Sequence, residues 1–181
     1  MIKHWQKLAA LLLLAISVPL YAAESRLPGA VAAFELVDSG GRTVTHLDFR
    51  GRYLLLAFGF TNCVHVCPMM AANMAAALKI AAQDATGIFI SVDSERDTPE
   101  IVNRYAASFG ENMIGLGGSY QQVNVAANSF KVTYVVSKSQ KNYTVQHTSS
   151  IFVVDTEGQI VETFPLNARP AEIAAALDGG N

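Results

Sequence analysis

The run Y-L-L-L-A-F-G-F at residues 53–60 constrains this 181-residue chain more than any other stretch. It is too short for a core helix and shows no polar alternation, so it reads as a central strand buried on both faces. Such a strand needs a layer above and a layer below it, which is the α/β arrangement. T-N-C-V-H-V-C-P follows at once, and Pro68 opens the helix-forming stretch M-M-A-A-N-M-A-A-A-L-K-I-A-A. The only two cysteines, Cys63 and Cys67, therefore lie where a buried strand gives way to a helix.

The remaining segments keep the alternation. A-A-F-E-L-V and G-G-R-T-V predict a small hairpin turning at Ser39-Gly40-Gly41. Gly87–Val92 is a second apolar strand. D-T-P-E at 97–100 supplies a cap, an early proline and a first-turn acid for a helix. Ile101, Tyr105 and Phe109 repeat along that helix at four-residue spacing, with Gly110 as its stop. A third helix is predicted over Tyr120–Phe130. Ser149–Asp155 and Gln159–Phe164 flank T-E-G as a terminal hairpin, and Pro170–Leu177 closes as a short helix. This order predicts an α/β fold: a single thioredoxin-like domain over residues 24–181 with a small N-terminal β-hairpin.

The first 23 residues read as an address. Lys3 and Lys7 precede an apolar run, Leu8–Leu20, and small residues offer cleavage after Ala22 or Ala23. The alternative is an anchor retained over residues 8–23. Both place the body of the protein outside the cytoplasm, in a bacterial periplasm, either soluble after cleavage or held at the inner membrane. The net charge of −2 excludes the basic field that nucleic-acid binding requires.

Export bears on the thiols, because an oxidising compartment converts idle neighbouring thiols into a disulfide. A structural staple is a poor reading. A chain of this length buries enough surface to fold unaided, and closing so short a loop removes little entropy from the unfolded chain. A loop at a helix N-terminus favours thiolate, as both a redox couple and a metal site require. His147, in Y-T-V-Q-H-T-S, stands where redox proteins of this topology usually carry a cis-proline, and no proline lies between Pro99 and Pro165. Two sulfurs and an imidazole make a soft three-donor set suited to Cu(I). Structural zinc would need a fourth ligand, for which His65 and His46 are the available imidazoles.

F-G-F-T-N-C-V-H-V-C-P, S-V-D-S-E-R-D-T-P-E and Y-T-V-Q-H-T-S, in that order, resemble the Sco/SenC/PrrC family of copper-binding cytochrome c oxidase assembly proteins. The resemblance implies a thioredoxin fold and copper held by Cys63, Cys67 and His147. It also implies a metallochaperone role toward the copper-site subunit of cytochrome c oxidase or another copper acceptor. A copper donor and a periplasmic thiol reductant would be further partners. Cu(I) is the expected cargo, with Cu(II) as a second state, to which His65 is an additional candidate donor. Val64-His65 stands where the family usually has Pro-Asp, and Gln146 where an acid usually precedes the histidine. The reading is non-enzymatic. The alternative is a periplasmic thiol–disulfide oxidoreductase acting through Cys63 and Cys67.

Met69, Met70 and Met74 are soft donors near the cysteines, but Met70, Met74 and Leu78 repeat at helical spacing and read as a core stripe. Asp97 is expected to cap its helix, Asp93 to end a strand, and His46 to lie in a loop.

Overall fold

The computed structural model describes residues 29–179, so the address reading of residues 1–23 falls outside them. Strands β1 (Glu35–Val37) and β2 (Thr43–Thr45) form the antiparallel N-terminal hairpin. Its turn is held by the Asp38 carboxylate, which accepts from the amides of Gly40 and Arg42, while Gly41 takes the left-handed φ of 76°. β3 (Tyr53–Gly59) leads into α1 (Val66–Ile80), followed by β4 (Ala85–Ser91), α2 (Pro99–Ala107), β5 (Met113–Leu116) and α3 (Tyr120–Ser129). A second hairpin, β6 (Tyr134–Lys138) and β7 (Tyr143–His147), precedes β8 (Ser150–Val154), β9 (Ile160–Pro165) and α4 (Pro170–Leu177).

The central sheet has five strands in the order β5–β4–β3–β8–β9. β3, β4 and β5 run parallel, as right-handed strand–helix–strand units demand, and β8 and β9 add antiparallel. One face is covered by α1, α2 and α4, which meet Leu55, Ala57, Phe89, Ile151 and Val153. The other is covered by α3 and the N-terminal hairpin, over Leu54, Leu56, Phe58, Ile88 and Phe152. This is the expected thioredoxin-like α/β fold, with β3 at its centre and buried on both faces.

Several local expectations change. α1 begins at Val66, so Cys67 lies inside its first turn and Pro68 occupies the third helical position rather than the first. The proline is tolerated because the first four N–H groups of a helix have no intrahelical acceptor to lose. Thr98, not Asp97, caps α2, accepting from the Ile101 amide. The buried stripe of α2 is Val102 and Ala106, flanked by half-buried Tyr105 and Phe109, and Ile101 faces solvent. Met70, Met74 and Leu78 are buried in the core as the stripe predicted, whereas Met69 is 43% exposed. β5 and the β6–β7 hairpin have no counterpart in the sequence reading. Among the described residues no helix is long and apolar enough to cross a membrane.

Candidate functional site

β3 ends at Gly59 because the chain must pass close under the core there. A side chain at Gly59 would place its Cβ 2.5 Å from the Phe89 ring and 2.9 Å from Cys67 Sγ. The missing Cβ lets the Cys67 thiol press against the strand, where it is fully buried. Gly59→Ala should therefore lower the unfolding free energy by about 1–3 kcal/mol, the usual cost of overpacking a core. Denaturant midpoints at constant m will show it, and an unshifted midpoint would mean that the thiol has free room beside the strand.

The two cysteines differ sharply. Cys63 is half-buried and its sulfur accepts a hydrogen bond from the Cys67 amide at 3.3 Å. Burial pushes the Cys63 thiol pKa up, but the amides of Cys67, His65 and Val66 and the Cys67 side chain outweigh it, so the net shift is downward. These are N–H groups at the start of α1, unpaired within the helix and directed at the sulfur. Cys67 moves the other way. Burial, and next the hydrogen bond with Cys63, push its thiol up to about 12, so it is held protonated.

His147 ends β7 and brings its ring to this pair. Nε2 lies 3.6 Å from Cys67 Sγ, and Nδ1 lies 2.9 Å from the Thr148 carbonyl oxygen. Only a protonated Nδ1 can donate to that carbonyl, which leaves the Nε2 lone pair facing the Cys67 thiol. Burial lowers the His147 pKa, against the opposing influence of the Thr148 carbonyl, and so favours the neutral ring. Phe60 meets the imidazole edge-on, with ring centroids 5.9 Å apart, closing the apolar side of the site.

His65 lies at the N-terminal boundary of α1 with an exposed side chain that makes no capping bond. His46 opens a short 3-10 helix (His46–Phe49) after β2 rather than lying in a loop, and it is half-buried, with Nδ1 against the Phe34 backbone and its ring edge-on to Phe34. Asp97 reaches the cysteine loop instead of a helix cap, accepting from the Thr61 amide and hydroxyl. The fold thus brings Cys63, Cys67 and His147 to one end of β3 and keeps His46 apart. Among the described residues, however, no group of three or more His, Cys, Asp or Glu side chains converges closely enough to hold a metal ion as the chain stands. Cys63 Sγ is turned to the Cys67 amide.

Sequence reasoning missed Gly59, Phe60, Thr61 and Tyr143. Only a glycine ending an apolar strand before a cysteine loop signalled the first of these; the rest depend on partners far away in the chain.

The SCO1/SenC family matches residues 23–179. Protein sco1 of Schizosaccharomyces pombe is 33% identical over 159 residues, a match that covers 83% of this chain and 60% of that protein. The chain thus spans less than two thirds of that relative's length. Apo Sco1 from Thermus thermophilus superposes with a TM-score of 0.77 at 34% identity, covering 84% of this chain and 92% of that one. Copper-bound ScoI of Arabidopsis thaliana superposes with a TM-score of 0.76 at 29% identity, covering 83% and 97%. BsSco, a Sco-family cytochrome c oxidase assembly protein in which a disulfide switch was identified, gives 0.67 at 27% identity, covering 86% and 95%.

Proposed function

This chain belongs to the SCO1/SenC family, and from that premise we propose that it is a copper metallochaperone using Cys63, Cys67 and His147. The observation that carries the reading is the orientation of His147: its Nδ1–H is spent on the Thr148 carbonyl, and its Nε2 lone pair meets Cys67 Sγ at 3.6 Å. A backbone acceptor that fixes the tautomer is the usual support behind a metal-binding imidazole. Two thiolates with one neutral imidazole suit Cu(I). The copper-bound plant relative supports the same cargo.

Loading follows from the asymmetry of the thiols. Cys63, half-buried and with its thiol pKa shifted downward by the amides at the start of α1, meets the incoming ion first. It swings from its amide donors toward the Cys67–His147 pair. The ion then displaces the Cys67 proton, which its buried setting holds tightly in the absence of metal. His65, exposed beside Cys63, is placed to add a nitrogen donor for Cu(II), which takes such ligands readily. The recipient is the copper-site subunit of cytochrome c oxidase or another copper acceptor, in keeping with the assembly role of BsSco. Residues 1–23 serve as an export signal or anchor, which places delivery in the periplasm.

Titrating the fully reduced chain with copper tests the proposal. It should take up about one Cu(I) per chain through its soft donors. A reduced chain that takes up none ends the metallochaperone reading.

Thiol–disulfide exchange is the second reading, and the same asymmetry favours it. A more acidic, accessible Cys63 would attack and a buried Cys67 would resolve the mixed disulfide.

A further inference from the structure

The position of His147 is not set by the central sheet alone, although β8 begins three residues on at Ser150. Its strand, β7, pairs among the described residues only with β6, in a separate two-stranded sheet. Tyr143, Val145 and His147 share the half-buried face of β7, while Thr144 and Gln146 point to solvent. At the far end of that face the Tyr143 hydroxyl donates to Asp93 Oδ1 at 2.5 Å. Asp93 is fully buried, and its other oxygen accepts from Arg96 Nε at 2.5 Å. The Arg96 guanidinium in turn lies 3.8 Å from the centre of the Tyr143 ring.

Four residues on, in the same loop, Asp97 is 2% exposed. Its carboxylate accepts from the Thr61 amide at 2.8 Å, the Thr61 hydroxyl at 2.6 Å and the Ser91 hydroxyl at 2.6 Å. Thr61 stands two residues before Cys63, and the Val92 amide also donates to the Gly59 carbonyl at 2.8 Å. The loop is braced internally, since the amides of Arg96 and Asp97 both donate to the Asp93 carbonyl. Burying two carboxylates this close together is costly unless each is fully hydrogen-bonded. Here one set of bonds goes to the segment before the cysteines and the other to the strand bearing His147.

We infer that the loop between β4 and α2 is a common anchor that sets the separation of the cysteine pair from His147, with Asp93 and Asp97 as its positioning residues. The inference rests on the copper-ligand reading above. A shift of the loop carries both halves of the site together, so the donors keep their spacing while the half-buried Cys63 side chain turns.

Tyr143→Phe keeps the ring beneath Arg96 and removes only the hydroxyl that reaches Asp93. In the full chain, Cu(I) affinity should fall about 10-fold or more, as losses behind a metal ligand typically cause. The thiolate–copper absorption of the Cu(II) form should shift, and the Cys63–Cys67 reduction potential should move less than in Thr61→Val, because the bonds to the segment before the cysteines are kept and only the His147 contact with Cys67 Sγ is disturbed. Thr61→Val cuts the other arm and should move both the spectrum and the potential. Thermal unfolding of each variant checks that the fold persists. Wild-type copper affinity and spectrum in Tyr143→Phe, alongside lost binding in His147→Ala, would overturn the anchor and leave the ligand reading standing. Wild-type binding in both variants would remove the ligand reading and the anchor together.

Discussion

His147→Ala is expected to lower copper affinity by more than the roughly 10- to 100-fold that loss of a group behind a metal ligand costs, because a direct donor is removed. Two thiolates alone leave Cu(I) open to water and to competing thiols. The fold should survive the change. Burial favours a neutral imidazole, so no buried counter-charge is left unpaired, and the lost contacts are those with Phe60, the Cys67 thiol and the Thr148 carbonyl. The Cys63–Cys67 disulfide should still form and be reduced, since exchange needs only two sulfurs. Competition against a Cu(I) chelator measures the affinity, and an equilibrium thiol titration measures the disulfide. In cells, His147→Ala should fail in oxidase assembly as completely as Cys63→Ser or Cys67→Ser. Full oxidase activity in the histidine variant at limiting copper, with the cysteine variants inactive, would hand the function to the thiol–disulfide oxidoreductase.

Oxidation should act still more completely. Joining Cys63 and Cys67 releases two electrons and two protons to an oxidant and removes two of the three proposed donors. The disulfide form should therefore take up essentially no Cu(I), while the reduced form takes about one per chain. The local geometry favours closure of the bond. The Cys67 amide already holds Cys63 Sγ at 3.3 Å, at the first turn of α1, and both thiols are free. The more acidic Cys63 should be the first site of alkylation by a limiting reagent, with Cys67 shielded against Gly59 and Phe89. Uptake that survives oxidation would place copper somewhere other than these sulfurs. Preferential alkylation of Cys67 would mean that the loop presents the opposite sulfur to solvent.

Much of the fold was legible because it is recorded in local patterns. The unbroken apolar run at 53–60 specified a strand buried on both sides, and D-T-P-E at 97–100 specified the start of α2, although its cap is Thr98 and not the expected Asp97. The stripe of Met70, Met74 and Leu78 specified which side of α1 enters the core. Strand β5, M-I-G-L, escaped because four residues carry too little periodicity to distinguish a strand from a loop. The β6–β7 hairpin escaped because it lies off the central sheet, and its half-buried, half-exposed strands resemble a polar connection.

By itself, the sequence determined the chemistry on offer: two cysteines at the junction of a buried strand and a helix, and a histidine 80 residues beyond Cys67. Residue types and short-range spacing suffice for that, since they set propensity, capping and the kinds of donor atom present. Only the tertiary structure decided how those donors differ and meet. Burial and the free amides at the start of α1 set the two thiols apart in acidity. Asp97 tied itself to Thr61 rather than capping the next helix, and the Thr148 carbonyl chose the His147 tautomer. These outcomes depend on hydrogen bonds and desolvation between segments distant in the chain. No local pattern encodes them, because the partners become neighbours only after the sheet and its two covering layers have assembled.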